Sequence, residues 1–152
     1  MPGDASDLDA TDLEIIELLR RDARRTLADV AERVSLSAPA VKRRVDRLLA
    51  SGAIRGFTAV IDPSALGWRT EAYVQVYCKG KVLAGDLQRA FSAIPEVAMA
   101  CTVTGRTDAL LHVLTRDVEH LQDVLQQIRD AASVDSTISE IVLRTLFRRA
   151  TP

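Results

Sequence analysis

The sequence predicts an α+β chain in two parts, three helices followed by a β-α-β-β-α-β unit. Three observations carry this. Residues 9–52 place apolar side chains at helical spacing, with capping residues between the runs. Residues 72–147 alternate between period-two and helical spacing. Between them lies "PSALGWRT", a connector of turn-forming residues. The expected layout is a flexible tail (1–7), a helical domain with a wing strand (8–62), a linker (63–70) and a sheet domain (71–149).

The first helix starts at Asp9, a good N-cap, and runs to about Arg21; its expected inner face is Leu13, Ile16 and Leu19 or Arg20. Thr26 caps a second, short helix, with Asp29 three residues on as a weaker capping box. Its inner face is Leu27, Val30, Ala31 and Val34. In "SLSAPAVKRRVDRLLASG" the apolar stripe Val41, Val45, Leu48, Leu49 is helical, yet Pro39 stands two residues before it. A helix interior cannot hold proline cheaply. With Ser37 as N-cap, Pro39 falls in the first turn, where N–H groups have no intrahelical partner and its fixed φ suits the helix. Gly52 stops this helix. Two helices joined by about three residues form a helix-turn-helix. Ala31 sits where they cross, and Leu36 and Val41 plug the junction. "AIRGFTAVID", Ala53 to Asp62, is rich in β-branched residues and ends at Pro63, so a wing strand is expected.

In the second part "AYVQVYC" and "VAMACTVTG" alternate as strands, the latter with Val97, Met99, Cys101 and Val103 on one side. Leu87, Phe91 and Ile94 mark a helix between them, ended by Pro95. After the turn "GRTD" come the strand "ALLHVL", a helix opened by Asp117 with Leu121, Val124, Leu125 and Ile128, and a last strand from Thr137 to about Phe147. This order is the ferredoxin-like split βαβ arrangement. It is also a weak repeat of two βαβ halves joined at Gly105–Asp108. Helices cover one sheet face; the other, with Tyr73, Tyr77 and Leu110, is expected to pair with a second copy.

Composition narrows the function. No run of 18 apolar residues suggests a membrane span. The acidic start "MPGDASDLDATD" lacks the basic and apolar regions of a secretion signal. Cys78 and Cys101 are isolated and expected to be buried thiols in a reducing cytoplasm; His112 and His120 give no zinc spacing. No metal, cofactor or catalytic constellation can be assembled. Net charge is −1, but residues 20–55 hold ten bases against four acids, whereas residues 63–152 balance at ten and ten. One basic block in a near-neutral chain points to a polyanion. On a wheel at 100° per residue, Pro39, Ala40, Arg43, Asp46 and Arg47 lie opposite the buried arc of the third helix, flanked by Lys42 and Arg44. Small residues then arginine suit a major groove. Ser37, Pro39, Ala40, Lys42, Arg43, Arg44 and Arg47 are the expected DNA contacts, Arg43 and Arg47 at bases, Lys42 and Arg44 at phosphates.

The run "LDATDLEIIELLRRDARRTLADVAERVSLSAPAVKRRVDRLLASGAIRGFTAVIDPSALG" resembles the N-terminal domain of the Lrp/AsnC (feast/famine) transcriptional regulators. Its Leu-Asp-x-x-Asp, Asp-Ala-Arg, Leu-Ser and Ser-Gly-x-Ile carry the resemblance. The second half resembles that family's effector-sensing domain, with Val103-Thr104-Gly105 and Asp108. The resemblance implies a winged helix-turn-helix followed by a ferredoxin-like sensing domain, working on double-stranded DNA in the cytoplasm, associated with the nucleoid. It implies a homodimer assembling into octamers or other higher oligomers, with DNA binding that responds to an amino acid. It assigns the effector to Gly105, Arg106, Thr107, Asp108 and Ser139. Chemically, Asp108 offers an anion for an ammonium group and Gly105 backbone N–H groups for a carboxylate, although the same residues make a plain β-turn. Three departures stand out: Ser35 where the turn usually has glycine, Thr107 and Ala109 where an aromatic flanks the aspartate, and Ser139 for the usual threonine. The loss of aromatic bulk predicts a wider or less selective pocket. A tetrapyrrole (haem-pathway) decarboxylase of the same architecture and an architectural DNA-binding protein without an effector are the alternatives.

Overall fold

The computed structural model describes residues 8–131 and 133–148, so the expected tail at 1–7 lies outside the described residues. The chain divides into two compact units between Ala59 and Val60, a little ahead of the expected linker.

The first unit holds α1 (Ala10–Arg21), α2 (Leu27–Arg33) and α3 (Ala38–Ala50). Asp9 and Thr26 each accept a hydrogen bond from the N3 amide, and the N3 residues Asp12 and Asp29 accept one back, so both caps are full capping boxes. Ser37 caps α3 through Ala40 N, and Pro39 sits in the first turn, as expected. The core is Ile15, Leu19, Val30, Ala31, Val41, Val45 and Leu48.

Two faces differ from expectation. On α1 the buried residues are Asp12, Ile15 and Leu19, while Leu13 is 54% exposed and Ile16 only half-buried. The helix is turned by one position because two arginines of α3 draw the Asp12 carboxylate inward. On α3, Leu49 stays exposed at the rim. The expected wing strand over Ala53–Asp62 does not form. Ile54 N donates to Leu48 O at 3.0 Å, but residues 55–62 have no sheet partner, and Phe57, Val60 and Ile61 stay exposed. β-Branched composition favours a pleated surface only where a neighbouring strand supplies one.

A 3₁₀ turn, Pro63–Leu66, opens the second unit, capped by Asp62 and closed by Gly67 at φ +85°. The Ser64 amide holds the Asp62 carboxyl below the usual range. Then come β1 (Thr70–Cys78), α4 (Ala84–Ser92), β2 (Val97–Thr102), β3 (Ala109–Thr115), α5 (Val118–Asp130) and β4 (Val134–Ile141). The sheet order is β2-β3-β1-β4 with every neighbour antiparallel, the ferredoxin-like arrangement. Ala72, Val74 and Val76 of β1 and Ala109, Leu111 and Val113 of β3 form one core with Leu87 and Phe91 of α4 and Leu121, Val124 and Ile128 of α5. Each fully buried aliphatic or aromatic side chain contributes about 1.5–3 kcal/mol. A one-residue slip of β1 or β3 would turn that whole set to solvent, so their register is fixed.

The edge strands are less regular. In β2 one extra residue, Ala98, lies between Val97, paired with Val113, and Met99, paired with His112. Val97 therefore shares the helix-covered side while Met99 and Cys101 share the open one, and the expected single row is broken at Ala98. Cys101, expected to be buried, is exposed on this edge. In β4 the extra residue is Asp135, between Val134 and Ser136. The last strand begins before Thr137 and stops at Ile141, which pairs with Ala72 of β1. Beyond it the Val142 amide still reaches Glu71 O, and Arg148 pairs with the Glu71 carboxylate.

The turn between α2 and α3 stores strain. Ser35 has φ +53°, and Leu36 N donates to Ala31 O at 3.0 Å, the helix-ending bond that this conformation makes possible. A non-glycine residue there costs about 1–2 kcal/mol, while glycine carries about 0.5–1 kcal/mol of extra chain entropy. Ser35→Gly is therefore expected to stabilise the helical unit by roughly 0.5–1 kcal/mol. Urea unfolding of the full chain checks this, and a lower midpoint would overturn it.

Candidate nucleic-acid interface and effector loop

The first turn of α3 is open: Ser37 and Pro39 are exposed and Ala40 is half-buried, so nothing bulky stands before the backbone there. Four cations follow. Lys42 pairs with Asp46 one turn on at 2.6 Å. Arg44 donates through Nη1 to Asp9 Oδ2 at 2.7 Å and Asp12 Oδ1 at 2.8 Å. Arg47 donates through Nη2 to Asp12 Oδ2 at 2.5 Å, though its side chain is still 59% exposed. Arg43 is exposed and makes no hydrogen bond or ion pair among the described residues.

These pairings sort the cations. The Arg44 guanidinium holds the Asp9 carboxyl below its usual range, so that pair is intact at neutral pH. Glu17, bonded by Arg20 and Arg21, is pushed down to about 2. Both are depressed carboxylates, so their stabilisation is present above the unfolded value and lost as pH falls through the folded one. The N-terminal acids thus pair with four nearby arginines, whereas Arg43 meets no carboxylate among the described residues. Asp9 and Asp12 were not among the expected functional residues. The available signal was phase: Asp12, Ile15 and Leu19 share one helical stripe, which places an acid on the inner side.

The residues expected to hold an effector lie in the second unit. Gly105 has φ +127°, which a residue with a Cβ rarely adopts. Asp108 N donates to Val76 O at 2.9 Å, and its Oδ2 accepts from Cys78 N at 2.8 Å. Thr107 Oγ1 lies 2.9 Å from Val76 O and 3.0 Å from Ala109 O. The loop is therefore stapled to the end of β1, and Asp108 bonds a neighbouring strand rather than its own turn. Burial, and next the Asp108 charge, push the Cys78 thiol up. Gly105, Arg106 and Asp108 are exposed. Ser139 does not join them within one chain: it pairs with Val74, so β1 stands between β4 and the strand that follows the loop.

A cleft of roughly 580 Å³ lies between α4 and β2, lined by residues such as Leu87, Phe91, Met99 and Ala100. It has no charged lining residue and contains none of the expected effector residues. A zwitterion needs charged or N–H partners, so the loop suits an amino acid better. The histidines are engaged elsewhere. His112 Nε2 is 2.7 Å from Glu71 Oε1 and its ring stacks on Tyr73, with centroids 5.0 Å apart. His120 stacks on Trp68 and lies 3.2 Å from Glu96.

Comparison with known proteins agrees with this division. Residues 8–55 match the model of a winged helix-turn-helix DNA-binding domain, and residues 71–152 that of the Lrp/AsnC ligand binding domain. The HTH-type transcriptional regulator Rv2324 of Mycobacterium tuberculosis is 52% identical, over 95% of this chain and 98% of that protein. The leucine-responsive regulatory protein of Rhizobium meliloti is 35% identical, over 91% and 90%. The feast or famine regulatory protein of M. tuberculosis, solved with L-methionine, superposes with a TM-score of 0.88 at 33% identity, covering 95% of this chain and 98% of that one. These relatives are regulators with a DNA-binding domain, so the decarboxylase alternative falls and the chain is not an enzyme. With both halves matched in order, the chain belongs to the Lrp/AsnC family of DNA-binding transcriptional regulators.

Proposed function

We propose that α3 reads DNA in the major groove, with Ser37, Pro39 and Ala40 allowing close approach and Arg43 reaching base edges. The carrying observation is that Arg43 alone among the four α3 cations has no internal partner among the described residues. Lys42, Arg44 and Arg47 hold phosphates through the N–H groups their carboxylates leave unused. Arg47, expected at the bases, moves to this second group because of its anchor on Asp12. Arg43→Ala should cost about 1–3 kcal/mol on a specific duplex and relax base preference, while Lys42→Ala weakens all sequences alike. Retardation titrations on the promoter upstream of its own gene and on scrambled DNA test this. An unchanged preference in Arg43→Ala would remove Arg43 from the bases.

The reading extends to assembly. The open sheet face, with Tyr73, Tyr77 and Leu110 half-buried in one copy, pairs with the same face of a second, and dimers build the higher oligomer. Two recognition helices are then held about one helical turn of DNA apart. The full chain is expected to sediment as a dimer or a multiple of it; a monomer at micromolar concentration would overturn this. Such a regulator works in the cytoplasm, on the nucleoid.

The effector is an amino acid bound at Gly105, Arg106, Thr107 and Asp108, with Ser139 contributed across an interface between copies. The L-methionine complex of the M. tuberculosis relative supports the ligand class. It changes DNA affinity through a difference in its affinity for two assembly states. Asp108→Asn keeps an oxygen for Cys78 N but removes the charge that an ammonium needs. Calorimetry with L-methionine, L-leucine and the other common amino acids should then show binding weakened roughly ten- to hundredfold, with fold and effector-free DNA binding retained. Equal binding by both proteins would take Asp108 out of the site.

A further inference from the structure

Asp12 sits where a hydrophobic residue would serve stability at least as well. Its side chain is fully buried, on the same stripe of α1 as the core residues Ile15 and Leu19. A carboxylate taken out of water is costly, and well-packed apolar replacements of such groups are often neutral or stabilising. What the charge provides is direction. Oδ1 accepts from Arg44, Oδ2 accepts from Arg47, and Oδ2 also takes the Asp9 amide at 3.3 Å. The two arginines stand three residues apart on α3, on the flank between its buried arc and Arg43. Bonds to both, from one fixed group on α1, set the rotation of α3 about its own axis.

We infer that Asp12 is a positioning residue for DNA recognition: it locks the roll of α3 and orients Arg44 and Arg47. The inference rests on the reading that α3 is the helix that meets DNA. A roll of about 20° moves a side-chain tip on a helix surface by about 2 Å. That exceeds the tolerance of roughly 0.5 Å within which a recognition contact must be held. Apolar packing of Val41, Val45 and Leu48 is non-directional and resists such a roll weakly. The carboxylate also neutralises: Asp9 and Asp12 against Arg44 and Arg47 make a cluster with no net charge. Removing the Asp12 charge therefore has two opposed effects. It frees a cation for phosphates, which strengthens binding to any DNA, and it loosens the helix, which weakens binding to the right DNA.

The test uses the full chain, a duplex selected by the wild type from a random pool, and a scrambled duplex of the same length. In Asp12→Asn, affinity for the scrambled duplex should rise and the slope of log K against log salt should steepen by up to about 1. Preference for the selected duplex should fall roughly tenfold or more. Asp12→Leu keeps the core filled if the asparagine variant folds poorly, and should show the same loss of preference with an unchanged circular dichroism spectrum. A folded variant of either kind that keeps the wild-type preference overturns the inference. Arg43→Ala, measured alongside, separates the two readings. If it relaxes preference and the Asp12 variants do not, only the positioning role fails. If it too changes nothing, the assignment of α3 to DNA fails.

Discussion

The helical unit depends on one buried carboxylate. Seven apolar residues make its core, and such a core specifies burial without specifying angle. Asp12 supplies the angle. Its two oxygens must be met by cations, those cations come from α3, and α1 is thereby turned with Leu13 outward and Ile15 inward. The capping box that starts α1 is part of the same arrangement, since Asp9 both caps the helix and shares Arg44. The rotation of α1 and the distribution of charge on α3 thus meet in a single interaction, which the cap of α1 shares.

The sensing unit is built on the opposite plan. Its core is apolar apart from the buried Thr115, whose hydroxyl donates to Asp117 O, and register comes from the period-two match of β1 and β3 against two helices. At the rim Asp108 and Thr107 tie the β2–β3 loop to β1. The two units therefore divide the labour. One buries a carboxylate and presents cations; the other buries an almost entirely apolar set and presents a braced loop.

Much of this was legible in the residues. Caps are local, so Asp9, Thr26, Ser37 and Gly52 mark the helix ends, and Pro39 is decisive because only a first turn accepts it. Strand order follows from the alternation of periods. What was not legible depends on partners distant in sequence. Asp12 meets arginines 32 and 35 residues away, and a pattern that counts apolar residues assigns an acid to the outside. The same distance hides the fate of Arg47, which a wheel places among the exposed cations. The strand expected over Ala53–Asp62 does not form within one chain for a related reason: composition shows willingness to pair, and pairing needs a second strand. In the candidate effector site the loop was visible through Gly105 and Asp108, whereas the bond from Cys78 N, made 30 residues away, was not.

The extra residues Ala98 and Asp135 lie in the two outermost strands, β2 and β4. A regular edge offers evenly spaced donors and acceptors, and any extended chain can continue it. A single inserted residue breaks that spacing and sharpens the local twist. Both borders of this sheet are interrupted in this way, so another strand laid along either would lose its match part-way. Sideways growth, the route to fibres, is blocked at each end. The face-to-face dimer proposed above needs neither border, and contact through one shared face closes on itself. Two irregularities that look like faults in the pleat are the kind of feature by which a sheet edge resists pairing with another chain.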